Sequence, residues 1–259
     1  MSAESHKSDT NNWLFVKIYT DTGVYGVGEG SLQYKDLGLI GEIQDFSKFL
    51  IGKDPIAIEY IRTSLYRRVT WTGGAVTMSA ISAIDLALWD LKGKALGVPV
   101  YELLGGKVRD AVPVYANGWF ENADTPSEHA DAAVKTVKAG YPCLKFYPFK
   151  GEYVTTPDRI NTGVELVKAV REAVGPDIQI GIDIRARLDY WSAIQVVEEL
   201  RPYKISWIEE PIQFDNPKLM GEFARKSSVP VSTGEQLYNR WAVSYTHLRA
   251  HETEADIVC

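Results

Sequence analysis

Three acidic residues with regular spacing are the clearest chemical signal in the sequence. Asp183, Glu209 and Glu235 recur at equal steps of 26 positions (209 − 183 and 235 − 209), and each closes a short apolar run. That period fits one strand plus one crossover helix, so the three carboxylates are expected at the same rim of a parallel sheet. A single acid at a strand end more often caps the following helix, but three in equal register indicate a shared site. Carboxylate oxygens are the ligands that Mg²⁺ selects, which predicts a magnesium site.

Composition and charge limit what such a site serves. The chain has 259 residues, of which 45% are hydrophobic, and a formal net charge of −6. The apolar content is ample for a core. The basic residues are dispersed along the chain, which disfavours nucleic acid as a partner. A small anionic substrate is still compatible with this charge, because a local site can be positive on an acidic protein. The polar N-terminal segment and the lack of an apolar run of about 18 residues predict no membrane span and a cytoplasmic location.

The first 110 residues predict an α+β region. Residues 13–30 alternate apolar and polar types and turn after Asp21, which indicates a β-hairpin. The GVGEG run of this hairpin lacks a following helix and is therefore not a dinucleotide-binding loop. Amphipathic helical patterns follow, and the strongest predicted helix begins at Met78 and ends at Gly97.

From residue 111 to residue 243, strands and helices alternate, which predicts right-handed crossovers and a parallel sheet. The five predicted strands are VPVYANG, CLKFYPF, IQIGIDI, ISWIEEP and PVSTGEQ. A doubly wound sheet and an incomplete (β/α)-barrel both fit, and carboxylates converging from successive strand ends favour the barrel. Because closure requires eight strands, about three strand-helix units are expected to be missing, and residues 244–259 form an aberrant tail.

Several segments together carry a family resemblance. They are VYGVGEG, FLIGKDP, residues 74–106, Lys145 in CLKFYP, Asp183 in GIDIRAR, Glu209 with Glu210 in WIEEP, and Glu235 in STGEQ. Through them the chain resembles the mandelate racemase branch of the enolase superfamily, and within it sugar-acid dehydratases of the galactonate type. The resemblance implies an α+β capping domain (1–110) followed by an incomplete (β/α)₇β barrel (111–243), with Mg²⁺ bound by the acidic trio. It also implies a homo-oligomeric parent.

The implied reaction removes a proton next to a carboxylate and needs charge stabilisation of the enediolate that forms. Lys145 would present an ammonium to the same carboxylate, or act as a base if its pKa is lowered. In related dehydratases the residue two positions after the first ligand is often a histidine; here it is Arg185, which is too weak an acid to donate a proton and is expected to anchor the substrate. Tyr147 is the remaining acid or base candidate, with a plain strand tyrosine as the alternative.

Substrate selectivity in this branch is expected from loops of the capping domain. We assign substrate contacts to Gln33, Tyr34, Trp71 and Glu210. The predicted function is Mg²⁺-dependent dehydration of a sugar acid to a 2-keto-3-deoxy acid by a hydro-lyase. The alternatives are racemisation or epimerisation of a 2-hydroxy acid, and a catalytically inactive fragment or binding protein.

Overall fold

The chain divides into two units, Met1–Ala111 and Val112–Cys259. The computed structural model describes residues 2–7, 12–68, 70–151, 156–239 and 242–243, with the backbone alone described over 2–7. The predicted aberrant tail, 244–259, lies outside the described residues. No helix in these described ranges is long and apolar enough to cross a membrane.

The first unit contains a three-stranded antiparallel sheet in the order β1 (Ser2–Lys7), β2 (Asn12–Tyr19) and β3 (Tyr25–Glu29). Pairing of β2 with β3 confirms the hairpin that the alternating pattern predicts. The pairing of β1 with the other edge of β2 was not predicted, because its sequence is polar and does not alternate.

Helices α1 (Asp36–Leu50), α2 (Ile58–Arg67), α3 (Ala75–Leu96) and α4 (Val100–Leu103) complete the first unit. The long helix α3 lies directly against β3. A Cβ at Gly26 would lie 1.9 Å from the carbonyl oxygen of Ala87, and a Cβ at Gly28 would lie 2.0 Å from that of Ala83. The glycines of the GVGEG run therefore serve close packing of the helix on the strand.

The second unit is built on a parallel sheet in the order β4-β5-β6-β7. Its elements in chain order are α5 (Pro126–Lys138), β4 (Cys143–Phe146), α6 (Pro157–Val174), β5 (Gln179–Asp183), α7 (Tyr190–Leu200), β6 (Trp207–Glu209), α8 (Pro217–Lys226) and β7 (Val231–Ser232). Strand and helix alternate as the sequence predicts, and the parallel pairing confirms the crossover interpretation.

The first of the five predicted barrel strands does not form a strand. Its segment contributes an isolated parallel bridge between Ala116 and Leu144, so four of the five predicted barrel strands are found among the described residues. Pro113 removes one backbone donor, and Gly118, with a φ of 75°, turns the chain soon after the bridge. The extended pairing is therefore short at this edge of the sheet.

The two faces of the parallel sheet differ in character. One face is fully buried in the apolar core and carries Leu144, Phe146, Ile180, Ile182 and Ile208. Because successive strand residues point to opposite faces, the intervening positions belong to the other face. Those positions are Lys145, Gly181, Asp183, Trp207 and Glu209. The second face thus carries predicted site residues on three adjacent strands.

Candidate active site

The predicted site begins with two carboxylates at equal depth. Asp183 is the last residue of β5 and Glu209 the last of β6, and the two are direct partners in the parallel register. Glu235 follows soon after β7, which pairs with β6. Asp183 and Glu209 thus end successive strands of one sheet, as expected, and Glu235 follows the end of the next strand by three residues.

The ammonium of Lys145 joins the first two carboxylates. Lys145 Nζ lies 2.5 Å from Glu209 Oε1 and 3.1 Å from Asp183 Oδ2, and the lysine side chain is only 9% exposed. Burial by itself would lower the pKa of Lys145, but the hydrogen bond to Glu209 and the attraction of Asp183 outweigh it and raise that pKa above its ordinary value. This arrangement holds Lys145 as an ammonium between two anions.

The other oxygen of Glu209 is held by an indole. Trp207 Nε1 donates to Glu209 Oε2 at 3.2 Å, and the Trp207 ring packs against Tyr115 with centroids 5.7 Å apart. Room for the ring comes from Gly181, where a Cβ would lie 2.2 Å from Trp207 Cζ2. Trp207 was not among the predicted site residues, although its position two residues before Glu209 places both side chains on one face of the strand.

Glu235 lies in the electrostatic field of the other acids. Burial raises its pKa most, and repulsion from Asp183, Glu210 and Glu209 raises it further. In the part of the chain that the structure describes, however, no group of three or more His, Cys, Asp or Glu residues is spaced to hold a metal ion. Two carboxylates converge on Lys145, and the third is within reach of their charge without completing a ligand cluster.

The donor types nevertheless suit a hard divalent cation. All three groups are carboxylates. Burial raises the pKa of Glu235 most, and the further rise from neighbouring acids is a repulsion that a cation would relieve. By ligand chemistry, Asp183, Glu209 and Glu235 would be the residues that hold Mg²⁺, and this assignment stays a prediction.

Arg185 and Tyr147 lie together beside this site. Arg185 has a φ of 56°, and its backbone N–H donates to Asp183 Oδ1 at 2.9 Å. The Arg185 guanidinium carbon lies 5.1 Å from the centre of the Tyr147 ring, which also meets Phe120 edge-on at 4.5 Å. The bond from Arg185 N thus holds the start of the loop after β5 against Asp183, and the guanidinium lies beside Tyr147, which follows β4.

Glu210 is buried, and its hydrogen-bond partners belong to the protein chain itself. It is 1% exposed, and its Oε1 accepts hydrogen bonds from Thr233 Oγ1, Gly234 N and Glu235 N at 2.9, 2.7 and 3.3 Å. The carboxylate therefore contacts the turn that carries Glu235. The predicted substrate contact for Glu210 has no support in this geometry.

The remaining predicted substrate contacts belong to the first unit. Tyr34 is 81% exposed with a φ of 59°, and Trp71 is 90% exposed, while Gln33 is also on the surface. Large aromatic side chains this exposed are available for contact with a ligand. The assignment of these three residues to substrate binding stays a prediction.

Comparison with known proteins gives the family. Residues 1–105 match the profile of the mandelate racemase / muconate lactonizing enzyme N-terminal domain, and residues 128–249 match the enolase C-terminal domain-like profile. A solved member of the enolase superfamily from Salmonella Typhimurium is 32% identical, with a TM-score of 0.88 over 94% of this chain and 68% of that one. The chain belongs to the mandelate racemase / muconate lactonizing enzyme family of the enolase superfamily.

Relatives within this family include dehydratases. A D-galactonate dehydratase from Pectobacterium atrosepticum is 37% identical over 230 residues, which are 88% of this chain and 59% of the relative. A solved structure from Mesorhizobium loti, assigned as a dehydratase by inference, is 38% identical with a TM-score of 0.90, over 93% of this chain and 67% of that one. The chain thus spans about three fifths of the length of the curated relatives that it matches. Membership of the mandelate racemase / muconate lactonizing enzyme family confirms the fold class that the sequence predicts, a capping domain followed by a barrel-like domain.

Proposed function

We propose that the parent enzyme is a Mg²⁺-dependent hydro-lyase that dehydrates a sugar acid of the galactonate class to a 2-keto-3-deoxy acid. The observation that carries this proposal is the Lys145 ammonium between Asp183 and Glu209 at neighbouring strand ends. D-galactonate dehydratases 35–37% identical to this chain support the substrate class.

The first chemical problem is the weak acidity of a hydrogen next to a carboxylate. Its removal passes the proton to a base, which we assign to Tyr147, and places a second negative charge on the carboxylate oxygens of the substrate, as an enediolate. When bound, Mg²⁺ supplies positive charge that stabilises such an anion. Lys145 adds an ammonium at the same end of the sheet, and its low exposure strengthens that interaction relative to water. Lys145, as an ammonium, is therefore assigned to stabilising the charge of the enediolate.

The second problem is departure of the β-hydroxyl. The carbon–oxygen bond breaks while a proton is delivered to the oxygen, so that water leaves and the enol product rearranges to the 2-keto form. Arg185 is too weak an acid to deliver that proton, and we assign it to anchoring a substrate hydroxyl or carboxylate. Tyr147, whose ring lies 5.1 Å from the Arg185 guanidinium, is the proposed proton donor. The proton that Tyr147 delivers is the one it takes up from the carbon, so the loss of water balances.

The proposal is tested by incubating the chain with a panel of sugar acids and measuring 2-keto-3-deoxy product. We expect product formation with galactonate or a stereoisomer, and we expect it to depend on Mg²⁺. Glu209→Gln should abolish product formation and, with it, the response to Mg²⁺. Glu172→Ala, at an exposed position of α6, is the control and should behave as the wild type.

Two other results would favour the alternative functions. Loss of optical rotation without keto product would identify a racemase or epimerase. Stabilisation by Mg²⁺ without turnover of any acid would identify this chain as a metal-binding but inactive part of the enzyme.

A further inference from the structure

The backbone at Glu210 is held in an unfavourable conformation. Glu210 has a φ of 41°, which a residue with a side chain adopts only when its surroundings enforce it. Its N–H donates to the Ser232 carbonyl at 3.0 Å, and its own carbonyl accepts from Ala186 N at 2.7 Å. Glu210 is therefore bonded to the chain after β5 on one side and to β7 on the other.

The side chain of Glu210 is held on one oxygen. Oε1 receives the hydroxyl of Thr233 and the two backbone N–H groups of Gly234 and Glu235. Oε2 is buried and has no hydrogen-bond partner among the described residues. Burying a carboxylate with one unsatisfied oxygen costs free energy. We therefore expect the three hydrogen bonds to the other oxygen to serve a purpose that offsets this cost.

We propose that Glu210 is the positioning residue for Glu235. Its carboxylate fixes the turn 233–235, and that turn sets where the Glu235 side chain leaves the backbone relative to Glu209 and Asp183. The adjacent acids of the WIEEP segment then have separate tasks, since Glu209 faces the site and Glu210 holds the next ligand candidate in place. This inference rests on the proposed function, because the task of Glu235 there is to bind Mg²⁺.

The hydrogen-bond geometry of Glu210 distinguishes positioning of the turn 233–235 from a general contribution of Glu210 to folding. All three hydrogen bonds end on one oxygen and on three consecutive residues, so their loss should release this turn and leave the rest of the sheet paired. Strand β4 is separated from β7 by two strands and provides an internal reference. A positioning role also requires only an acceptor oxygen, which a glutamine supplies with the same side-chain length.

The test uses the 259-residue chain and the variants Glu210→Ala and Glu210→Gln, with Glu172→Ala as the control at an exposed glutamate. Mg²⁺ affinity is measured by titration calorimetry, and amide hydrogen exchange of segments 230–237 and 143–146 is measured in EDTA. We expect Glu210→Ala to weaken Mg²⁺ binding by about 10- to 100-fold, as for other residues that orient metal ligands. Exchange should accelerate in 230–237 and stay unchanged in 143–146.

In Glu210→Gln, the Mg²⁺ affinity and the exchange rate of 230–237 should both stay within about threefold of the wild type, because a neutral acceptor keeps roughly half the strength of a charged one. Wild-type Mg²⁺ affinity in Glu210→Ala, or failure of Gln to improve on Ala, would overturn the inference.

Two further results stay informative. If the wild type itself bound no Mg²⁺, the proposed function would fail, and exchange in 230–237 would still decide whether Glu210 holds the turn. If Glu210→Ala did not fold, Thr233→Val would replace it, since it removes one donor with little change of shape; unchanged exchange and Mg²⁺ affinity in that variant would overturn the inference.

Discussion

Lys145 bonds to Glu209 across an intervening strand, with Nζ 2.5 Å from Oε1. Strand β5 lies between their strands and contributes Asp183, which the same ammonium reaches at 3.1 Å. One cation therefore neutralises charge from two strand ends at a place where the side chains are at most 17% exposed. Such a buried group depends on its partners, because an unpaired charge at this depth is costly.

Removing the ammonium should destabilise the second unit strongly. In Lys145→Met, Asp183 and Glu209 face each other without a counter-charge, and we expect a loss of about 3 kcal/mol in the free energy of unfolding, typical of breaking a buried pair. Mg²⁺ should raise the melting temperature of this variant more than that of the wild type, because the two carboxylates are no longer held by the lysine. Urea and thermal unfolding with Mg²⁺ or EDTA measure both effects.

Lys150→Met is the matched control for this lysine. Lys150 is 50% exposed and lies 3.3 Å from Asp124, so its loss should cost about 0.5 kcal/mol or less. Equal destabilisation by the two substitutions would contradict the importance of the buried ion pair.

Gly181 is predicted to be required for the position of Trp207. In Gly181→Ala the new Cβ would lie 2.2 Å from the indole ring, which must move and weaken its hydrogen bond to Glu209. We expect a loss of about 2 kcal/mol, typical of overpacking, together with a shift in tryptophan fluorescence. Gly221→Ala is the control: its Cβ meets nothing closer than 3.8 Å in helix α8, so that substitution should stabilise by about 0.5 kcal/mol. Similar effects of the two substitutions would contradict the close contact.

The sequence predicted the elements whose pattern is local and periodic. The hairpin at 13–30, the long helix near Met78 and the strand ends at Asp183 and Glu209 correspond to observed elements, whereas β7 ends at Ser232, three residues before Glu235. Periodicity identifies them because one face of each is buried.

Other features depend on partners distant in the sequence. Strand β1 forms on the edge of β2 although its sequence does not alternate. The contacts of Glu210 depend on the left-handed turn at that residue and on the adjacent strand, which no local pattern specifies. The register of Gly181 opposite Trp207 likewise becomes visible only when the strands are paired.

Two threonines at helix starts should differ in their contribution to stability. Thr125 accepts from Glu128 N, and the Glu128 side chain accepts from Thr125 N, so the pair closes the start of α5. Thr156 also precedes a proline but makes no such bond at the start of α6. We expect Thr125→Ala to cost about 1 kcal/mol and Thr156→Ala to cost little, as measured by urea unfolding. Equal losses would contradict a specific capping role for Thr125.

The pH dependence of stability should include a contribution from Asp189 at the start of α7. Its Oδ1 accepts from the backbone N–H groups of Trp191 and Ser192, each at 3.0 Å. The bond from Ser192 N lowers the pKa of Asp189 most, against a smaller opposing effect of burial. A carboxyl with a lowered folded-state pKa stabilises fully above its unfolded pKa of about 3.9, and this contribution is lost as pH falls through the folded-state pKa.

Asp189→Asn keeps a capping oxygen but does not titrate. We therefore expect the wild type to exceed Asp189→Asn by about 1 kcal/mol at neutral pH, because the carboxylate also interacts with the helix N-terminus, and the difference should shrink below about pH 4. Urea unfolding between neutral and acid pH measures it. Asp177→Asn, at an exposed loop position before β5, controls for the loss of one negative charge. A difference that persists or grows as the pH falls would contradict the assignment, because only the charged form of Asp189 makes the stronger bonds to the helix start.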